Sequence, residues 1–118
     1  LCVFWLSDRG SREQVAFILR EVMEGGEISQ YLYGNWMKPM HMRFCELFGM
    51  ATGLEPETEV VRLAVFSIVG QIFHFRVGEK LIMQRLGWDV LGAAELDKIV
   101  GNIETCIRAI VAVHRRNP

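Results

Sequence analysis

The stretch VVRLAVFSIVGQIFHFRVGEK, residues 60–80, is the longest strongly apolar segment of the sequence and the most informative about its architecture. Helical spacing places its apolar residues on two sides of one helix. One arc holds Leu63, Phe66, Val69, Gly70 and Phe73, and the other holds Val61, Val65, Ile68, Ile72 and Phe75. A small domain buries one such side in its own core, and the other side would be a large exposed apolar patch. The pattern predicts that the second side packs against another copy of the chain. A fully buried central helix in a monomer is the alternative.

The composition favours one globular all-α domain. The chain has 118 residues, enough for one core, and 51% of them are apolar, which excludes a disordered chain. Only three prolines interrupt long stretches of helical periodicity. The net charge of −1 gives no basic face of the kind that nucleic-acid binding requires.

The cysteines and the first residues indicate a cytoplasmic protein. Cys2, Cys45 and Cys106 match neither a disulfide framework nor a paired zinc spacing, so we expect free thiols in a reducing compartment. The apolar start is short for a signal peptide, and no apolar run approaches the length of a membrane span. We interpret residues 1–10 as the end of a linker helix from a preceding N-terminal domain, and residues 11–118 as a helical domain.

The periodicity predicts a bundle of about five helices, counting that linker helix. The second covers about 12–24, with Ser11 and Gln14 in a capping-box pattern and Gly25–Gly26 as its end. The third covers 28–51, with a kink near 35–38 caused by Pro39. The fourth has Pro56 in its first turn, breaks near Gly78 and continues to about 86. The last begins near Gly92 and ends near 115.

Candidate ligand-binding residues lie near the predicted kink and at the polar end of the 60–77 helix. Trp36, Met40, Phe44 and Phe73 would supply apolar walls to a cavity in each subunit, and His74 and Arg76 would orient a ligand. Arg76 would pair either with a carboxylate or phenolate of the ligand or with Glu79. The alternative is ordinary core packing with a solvent-exposed Arg–Glu pair.

The sequence shows no pattern of a metal or catalytic site. His41 and Cys45 share one helix face, but the other histidines lie on other helices, so we interpret them as a surface histidine beside a buried cysteine. No nucleophile triad, Walker loop or dinucleotide-binding glycine pattern is present. We expect no metal, no cofactor and no enzymatic activity.

The predicted dimer face joins the arc of the 60–77 helix that contains Leu63 and Phe66, here called the outer arc, to a narrow face of small residues on the last helix. Two helices from each copy would then form a four-helix interface. Gly70 and Ala109 would lie where the helices approach closely. The predicted face comprises Leu63, Phe66, Ser67, Gly70, Gln71, Cys106, Ala109 and Val113.

Three stretches resemble the C-terminal half of tetracycline-repressor (TetR) family transcriptional regulators. They are FILREVMEGG (17–26), RLAVFSIVGQIFHFRVGEKLIMQRLGW (62–88) and LDKIVGNIETCIRAIVAVHR (96–115). The resemblance implies an all-α effector-binding and dimerisation domain of a cytoplasmic homodimeric repressor. Operator DNA would be bound through an N-terminal helix-turn-helix domain that these residues do not contain. The alternatives are a stand-alone helical dimeric interaction module without a ligand, and an α-helical enzyme or cofactor carrier.

Overall fold

The described part of the chain consists of helices joined by short turns and loops. The computed structural model describes residues 12–116, with the side chains of Arg12, Val15 and Arg116 excepted. Its elements are α1 (Arg12–Glu24), α2 (Glu27–Leu32), a π-helical segment (Tyr33–Met37), α3 (Lys38–Thr52), α4 (Glu59–Val77), α5 (Glu79–Leu86) and α6 (Ala93–Arg116). No strand occurs in residues 12–116, which confirms the all-α prediction. The predicted linker helix at 1–10 and the Ser11 cap lie outside the described residues.

The predicted irregularity near Pro39 is a π-helical turn. Proline has no backbone N–H, so Pro39 cannot bond to the carbonyl four residues before it. The Tyr33–Met37 segment precedes it, and the Lys38 N–H donates to the Tyr33 carbonyl, five residues back. Because a π turn holds an extra residue, it changes which side chains face inward after it. The sequence predicted an irregularity at this position in the form of a kink, and the structure has a π-helical segment there.

The start of α4 corrects one prediction. Thr58 is the N-cap residue, and its side-chain oxygen accepts a hydrogen bond from the Val61 N–H. Pro56 therefore lies in the turn before α4 and not in the first helical turn. It packs close to Gly49 of α3, where an added Cβ would lie 3.1 Å from the Pro56 Cγ atom.

The remaining helix ends follow from local chemistry as predicted. Gly25, Gly53 and Gly87 adopt the left-handed conformation that ends a helix. Gly78 separates α4 from α5. Before α6, the Gly92 N–H donates to the Glu95 side chain at 3.0 Å, which caps the helix start.

The main core lies between α3, α4 and α6. Cys45 and Phe48 of α3 pack with a buried face of α4, and Ile110 and Val111 of α6 cover the cluster. The α4 residues of this cluster are Val61, Ala64, Val65 and Val69. A second cluster joins Ile99 and Ile103 of α6 to Ile72 and Phe75. The inner arc of α4 is therefore the one that contains Val61 and Val65.

The outer arc of α4 is accessible only in part: Leu63, Phe66 and Gly70 are exposed, whereas Val69 lies in the main core and Phe73 packs against it. By length and composition α4 could cross a membrane, contrary to the sequence expectation, although a core helix passes the same test. Only 28% of its most apolar window is buried. Its inner arc packs against α3 and α6 as in a globular core. One side of α4 is thus packed in the core, while Leu63, Phe66 and Gly70 on the other side remain exposed in the described part of the chain.

Candidate functional site

An apolar cleft of about 570 Å³ lies between α1, α2, the π-helical segment, α3 and α4. Helices α1 and α2 contribute Ile18, Leu19, Val22, Ser29, Gln30 and Leu32. The opposite wall consists of Tyr33, Trp36, Met37, Met40, His41, Phe66, Val69, Gly70 and Phe73. Among these described lining residues there is no aspartate, glutamate, lysine or arginine. The cleft is therefore suited to an apolar, uncharged molecule.

The π-helical segment brings three long side chains to the cleft. Tyr33, Trp36 and Met37 are spaced so that all three line the same wall. Trp36 meets Phe73 of α4 edge to face, with 6.1 Å between the ring centroids. Such aromatic pairs add to the stabilisation that comes from buried area. The π turn and α4 thus form two sides of one aromatic corner.

His41 is a buried part of the cleft wall, which corrects the expectation of a surface histidine. Its ring stacks on Phe66, with centroids 3.9 Å apart. The Nε2 atom lies 3.2 Å from the Arg62 carbonyl oxygen, so it carries the proton and donates. The Nδ1 atom then accepts from the Cys45 thiol at 3.5 Å. Both ring nitrogens are engaged within the chain, and a ligand would meet the ring itself.

Cys45 is a structural thiol. It is fully buried, and burial raises the pKa of its thiol above the ordinary value. The Glu57 carboxylate raises this pKa further, and Arg62 opposes the rise. A buried thiol held in its neutral form is a poor nucleophile. Cys45 and Cys106 are free thiols as expected, whereas Cys2 lies outside the described residues.

The described residues contain no assembled metal site. Within residues 12–116, no group of three or more histidine, cysteine, aspartate or glutamate side chains could hold a metal ion. His41 and Cys45, the pair with metal-ligand character, bond to each other instead.

The structure brings together three of the six residues that were predicted to bind a ligand. Trp36, Met40 and Phe73 line the cleft. Phe44 packs against the main core cluster instead, and His74 is exposed and lies outside the lining.

Arg76 occupies a different place. Its side chain is 1% exposed and lies 3.5 Å from the Glu79 carboxylate, itself 6% exposed. The two residues border a smaller recess of about 310 Å³ between α1 and the joint of α4 with α5. The predicted Arg76–Glu79 pairing is present, but it is buried, so the alternative of a solvent-exposed pair is wrong. Arg76 does not line the larger cleft.

The part of the cleft that α1 and α2 form was not predicted from the sequence. The apolar stripe of α1 was visible, since Ile18, Leu19 and Val22 recur at helical spacing. Periodicity shows that such a stripe is covered, but it does not show which element covers it. Phe66 and Gly70 were assigned only to the dimer face, and both also line the cleft.

The residues of the predicted dimer face are largely accessible in the single chain. Leu63 is 59% exposed, Phe66 47% and Val113 55%. Ser67, Gly70 and Ala109 are exposed, and Gln71 and Cys106 are half-buried. Beyond its chain neighbours and its own helix backbone, a Cβ atom added at Gly70 would meet no described residue within 4 Å. The face is apolar and carries no Asp, Glu, Lys or Arg side chain.

Comparison with known proteins assigns the chain to a family. Residues 1–113 match the family model for the C-terminal domain of the HTH-type transcriptional dual regulator CecR. The chain belongs to the CecR C-terminal domain family. This match confirms the expectation, drawn from the three resembling stretches, of the C-terminal domain of a TetR-family regulator.

A curated relative supports the CecR assignment. The HTH-type transcriptional dual regulator CecR of Shigella flexneri is 24% identical over 90 residues, which cover 76% of this chain and 40% of the relative. The chain spans less than half the length of that relative. The CecR family is one of transcriptional regulators and not of enzymes.

Proposed function

We propose that this CecR-type domain binds a small effector in the apolar cleft and holds a transcriptional regulator together as a homodimer. The regulator would be a cytoplasmic repressor whose operator DNA is bound by a segment preceding the matched domain. The effector would change DNA binding by favouring one arrangement of the dimer over another, because a ligand shifts an equilibrium only by its differential affinity for the two states.

The observation that carries this proposal is the apolar cleft within a regulator's C-terminal domain. A volume of about 570 Å³ falls within the range of small-molecule sites. The removal of apolar surface from water would supply most of the affinity, at about 25 cal/mol per Å². Ser29, Gln30 and the Tyr33 hydroxyl are the groups that could orient a ligand.

The lining also limits the charge of the effector. The sequence pattern favoured an anionic ligand held by Arg76, but that guanidinium is paired with Glu79 and borders another recess. A carboxylate in the cleft would lose its hydration without meeting a cationic partner among the described lining residues. We therefore propose an uncharged, predominantly aromatic or apolar effector.

The proposed dimer rests on the outer arc of α4 and the adjoining face of α6. The exposed apolar residues Leu63, Phe66 and Val113 would be buried by a partner. Because this face lacks charged side chains, two identical copies can meet there without like-charge repulsion. A second copy of this chain is therefore the partner that we propose for this uncharged surface.

A fluorescence titration with the neutral apolar dye N-phenyl-1-naphthylamine tests the cleft. We expect the wild-type chain to bind the dye and Trp36→Ala to bind it about tenfold more weakly, equivalent to about 1.4 kcal/mol. The matched control is His74→Ala, which removes an exposed aromatic ring outside the lining and should leave the affinity unchanged.

Two results would contradict the effector proposal. Equal dye affinity in the wild type and in Trp36→Ala would place the binding site elsewhere. Failure of the folded wild-type chain to bind the dye would favour the alternative of a helical interaction module without a ligand.

A further inference from the structure

Two aromatic pairs lie along the cleft, and each joins α4 to the opposite wall. Trp36 of the π-helical segment meets Phe73 edge to face, with 6.1 Å between the ring centroids. His41 of α3 stacks on Phe66, with 3.9 Å between the centroids. All four side chains line the cleft. The cleft therefore has aromatic side chains on both walls at two places along α4.

The two phenylalanines are separated by two helical turns. Phe66 and Phe73 are seven residues apart in an α-helix, so they lie on nearly the same face of α4, about 10 Å apart along its axis. On the other wall the order is reversed, because Trp36 precedes His41 in the chain whereas its partner Phe73 follows Phe66. The two walls therefore run antiparallel, and the stretch between the pairs is bounded by both of them.

Between the two phenylalanines, α4 presents little side-chain volume to the cleft. The α4 lining residues there are Val69, which belongs to the main core, and Gly70, which has no side chain. Beyond its chain neighbours and its own helix backbone, a Cβ atom built at Gly70 meets no described residue within 4 Å. The space along α4 between Phe66 and Phe73, here called the aromatic gap, is therefore open to a ligand.

A flat ring fits the length of the aromatic gap. A ring placed midway between Phe66 and Phe73 would lie about 5 Å from each along the helix axis, and aromatic rings attract one another at centroid distances of about 4.5–7 Å. Met37 and Met40 line the opposite wall over the same stretch, and thioether sulfur makes favourable contacts with aromatic rings. A saturated ring has no π-system and would gain only the burial of apolar surface.

We infer that the effector carries a flat aromatic ring that binds in the aromatic gap, with Phe66 and Phe73 as the residues that determine specificity. This inference rests on the proposed function. It narrows the effector from an apolar or aromatic molecule to one with an aromatic ring, and it gives that ring a place in the cleft.

The aromatic gap predicts a preference that hydrophobic burial alone does not. A saturated ring system is at least as apolar as the aromatic one with the same skeleton, so burial alone would make it bind at least as tightly. Contacts between π-systems favour the aromatic ring instead. The compounds 2-naphthol and decahydro-2-naphthol share one carbon skeleton and one hydroxyl group, and both are uncharged near neutral pH.

Isothermal titration calorimetry of the full chain with these two compounds tests the aromatic gap. We expect 2-naphthol to bind at least about tenfold more tightly than decahydro-2-naphthol, equivalent to about 1.4 kcal/mol. Phe66→Leu and Phe73→Leu should each reduce this preference by about threefold or more, because leucine keeps the wall apolar but removes one ring. For the same reason, the affinity for decahydro-2-naphthol should stay within about twofold of the wild-type value.

The matched control is Phe17→Leu, which makes the same change outside the cleft. Phe17 is 45% exposed and Phe66 is 47% exposed, but Phe17 does not line the cleft, so this variant should keep the wild-type preference. Circular dichroism verifies the folding of each variant, and sedimentation verifies its assembly. If Phe73→Leu does not fold, the half-exposed Phe66 still provides the test.

The possible results separate the aromatic gap from the proposed function. Equal affinity for the two compounds, tighter binding of decahydro-2-naphthol, or binding of N-phenyl-1-naphthylamine without 2-naphthol would overturn the aromatic gap and leave the effector proposal intact. A folded Phe66→Leu or Phe73→Leu variant with the wild-type preference would overturn it too. A folded wild-type chain that binds neither compound nor the dye would refute the proposed function, and the aromatic gap with it.

Discussion

At the scale of single residues, the packing around a helical glycine decides whether its replacement by alanine stabilises or destabilises the fold. Gly49 is buried where α3 passes the turn before α4, and an added Cβ would lie 2.7 Å from the Leu54 carbonyl oxygen. Gly101 lies exposed within α6, and an added Cβ would meet nothing within 4 Å. The two glycines are alike in sequence terms, since each interrupts a helix, and only the packing separates them.

Alanine substitution at these two glycines should change stability in opposite directions. We expect Gly49→Ala to lower the free energy of unfolding by about 1–3 kcal/mol, because the clash is with backbone that cannot move away easily. Gly101→Ala should raise it by about 0.5–1 kcal/mol, since alanine restricts the unfolded chain and suits a helix. Urea denaturation measures both. A stabilised Gly49→Ala variant would contradict the packing of α3 against the turn.

At the scale of helices, most helix boundaries could be predicted from the sequence. The ends at Gly25, Gly53, Gly78 and Gly87 follow from local chain chemistry, which is why they could be predicted. The two sides of α4 could be predicted in part because periodicity reports which residues share a face, but Val69, placed on the arc of Leu63 and Phe66, lies in the main core.

What could not be predicted depends on contacts distant in sequence. Phe44 was grouped with Trp36 and Met40 by helical spacing, and His74 and Arg76 were grouped with Phe73 at the polar end of the helix, but neither pattern shows which element covers each side chain. The packing of α1 and α2 against α3 and α4 decides which of them meets the cleft. Likewise, His41 is buried because Phe66 and the Arg62 carbonyl come from α4, which the sequence of α3 does not reveal.

The Arg76–Glu79 pair at the joint of α4 and α5 should be much more important for stability than a similar pair on the surface. Glu79→Gln removes a buried carboxylate charge that lies 3.5 Å from the Arg76 guanidinium, and we expect a loss of about 3–5 kcal/mol. Arg43 and Glu46 have the same sequence spacing and a shorter distance of 3.1 Å, but their side chains are 68% and 54% exposed.

The surface pair is the matched control for that measurement. Glu46→Gln should change the free energy of unfolding by only about 0–1 kcal/mol, because water screens the exposed pair. Thermal and urea denaturation of both variants give the comparison. Equal losses in the two variants would show that burial at the α4–α5 joint does not determine the strength of the pair.

At the scale of the whole molecule, the single chain has the dimensions of an incomplete globule. Its extents are 43 × 37 × 19 Å and its radius of gyration is 15.7 Å, whereas a compact domain of this length has about 13 Å. The core lies on one side of α4, and the apolar outer arc lies on the other. A second copy packed on that arc would bury it, and α4 would then be packed on both of its sides.

The proposed function requires that the chain forms a dimer and that it binds an apolar effector. Sedimentation velocity of the full chain with N-phenyl-1-naphthylamine, recorded through both protein absorbance and dye fluorescence, tests both parts at once. We predict that the dye sediments with a species of twice the 13.5 kDa chain mass. Dye that remains unbound, or protein that sediments only as the single chain, would contradict the claim.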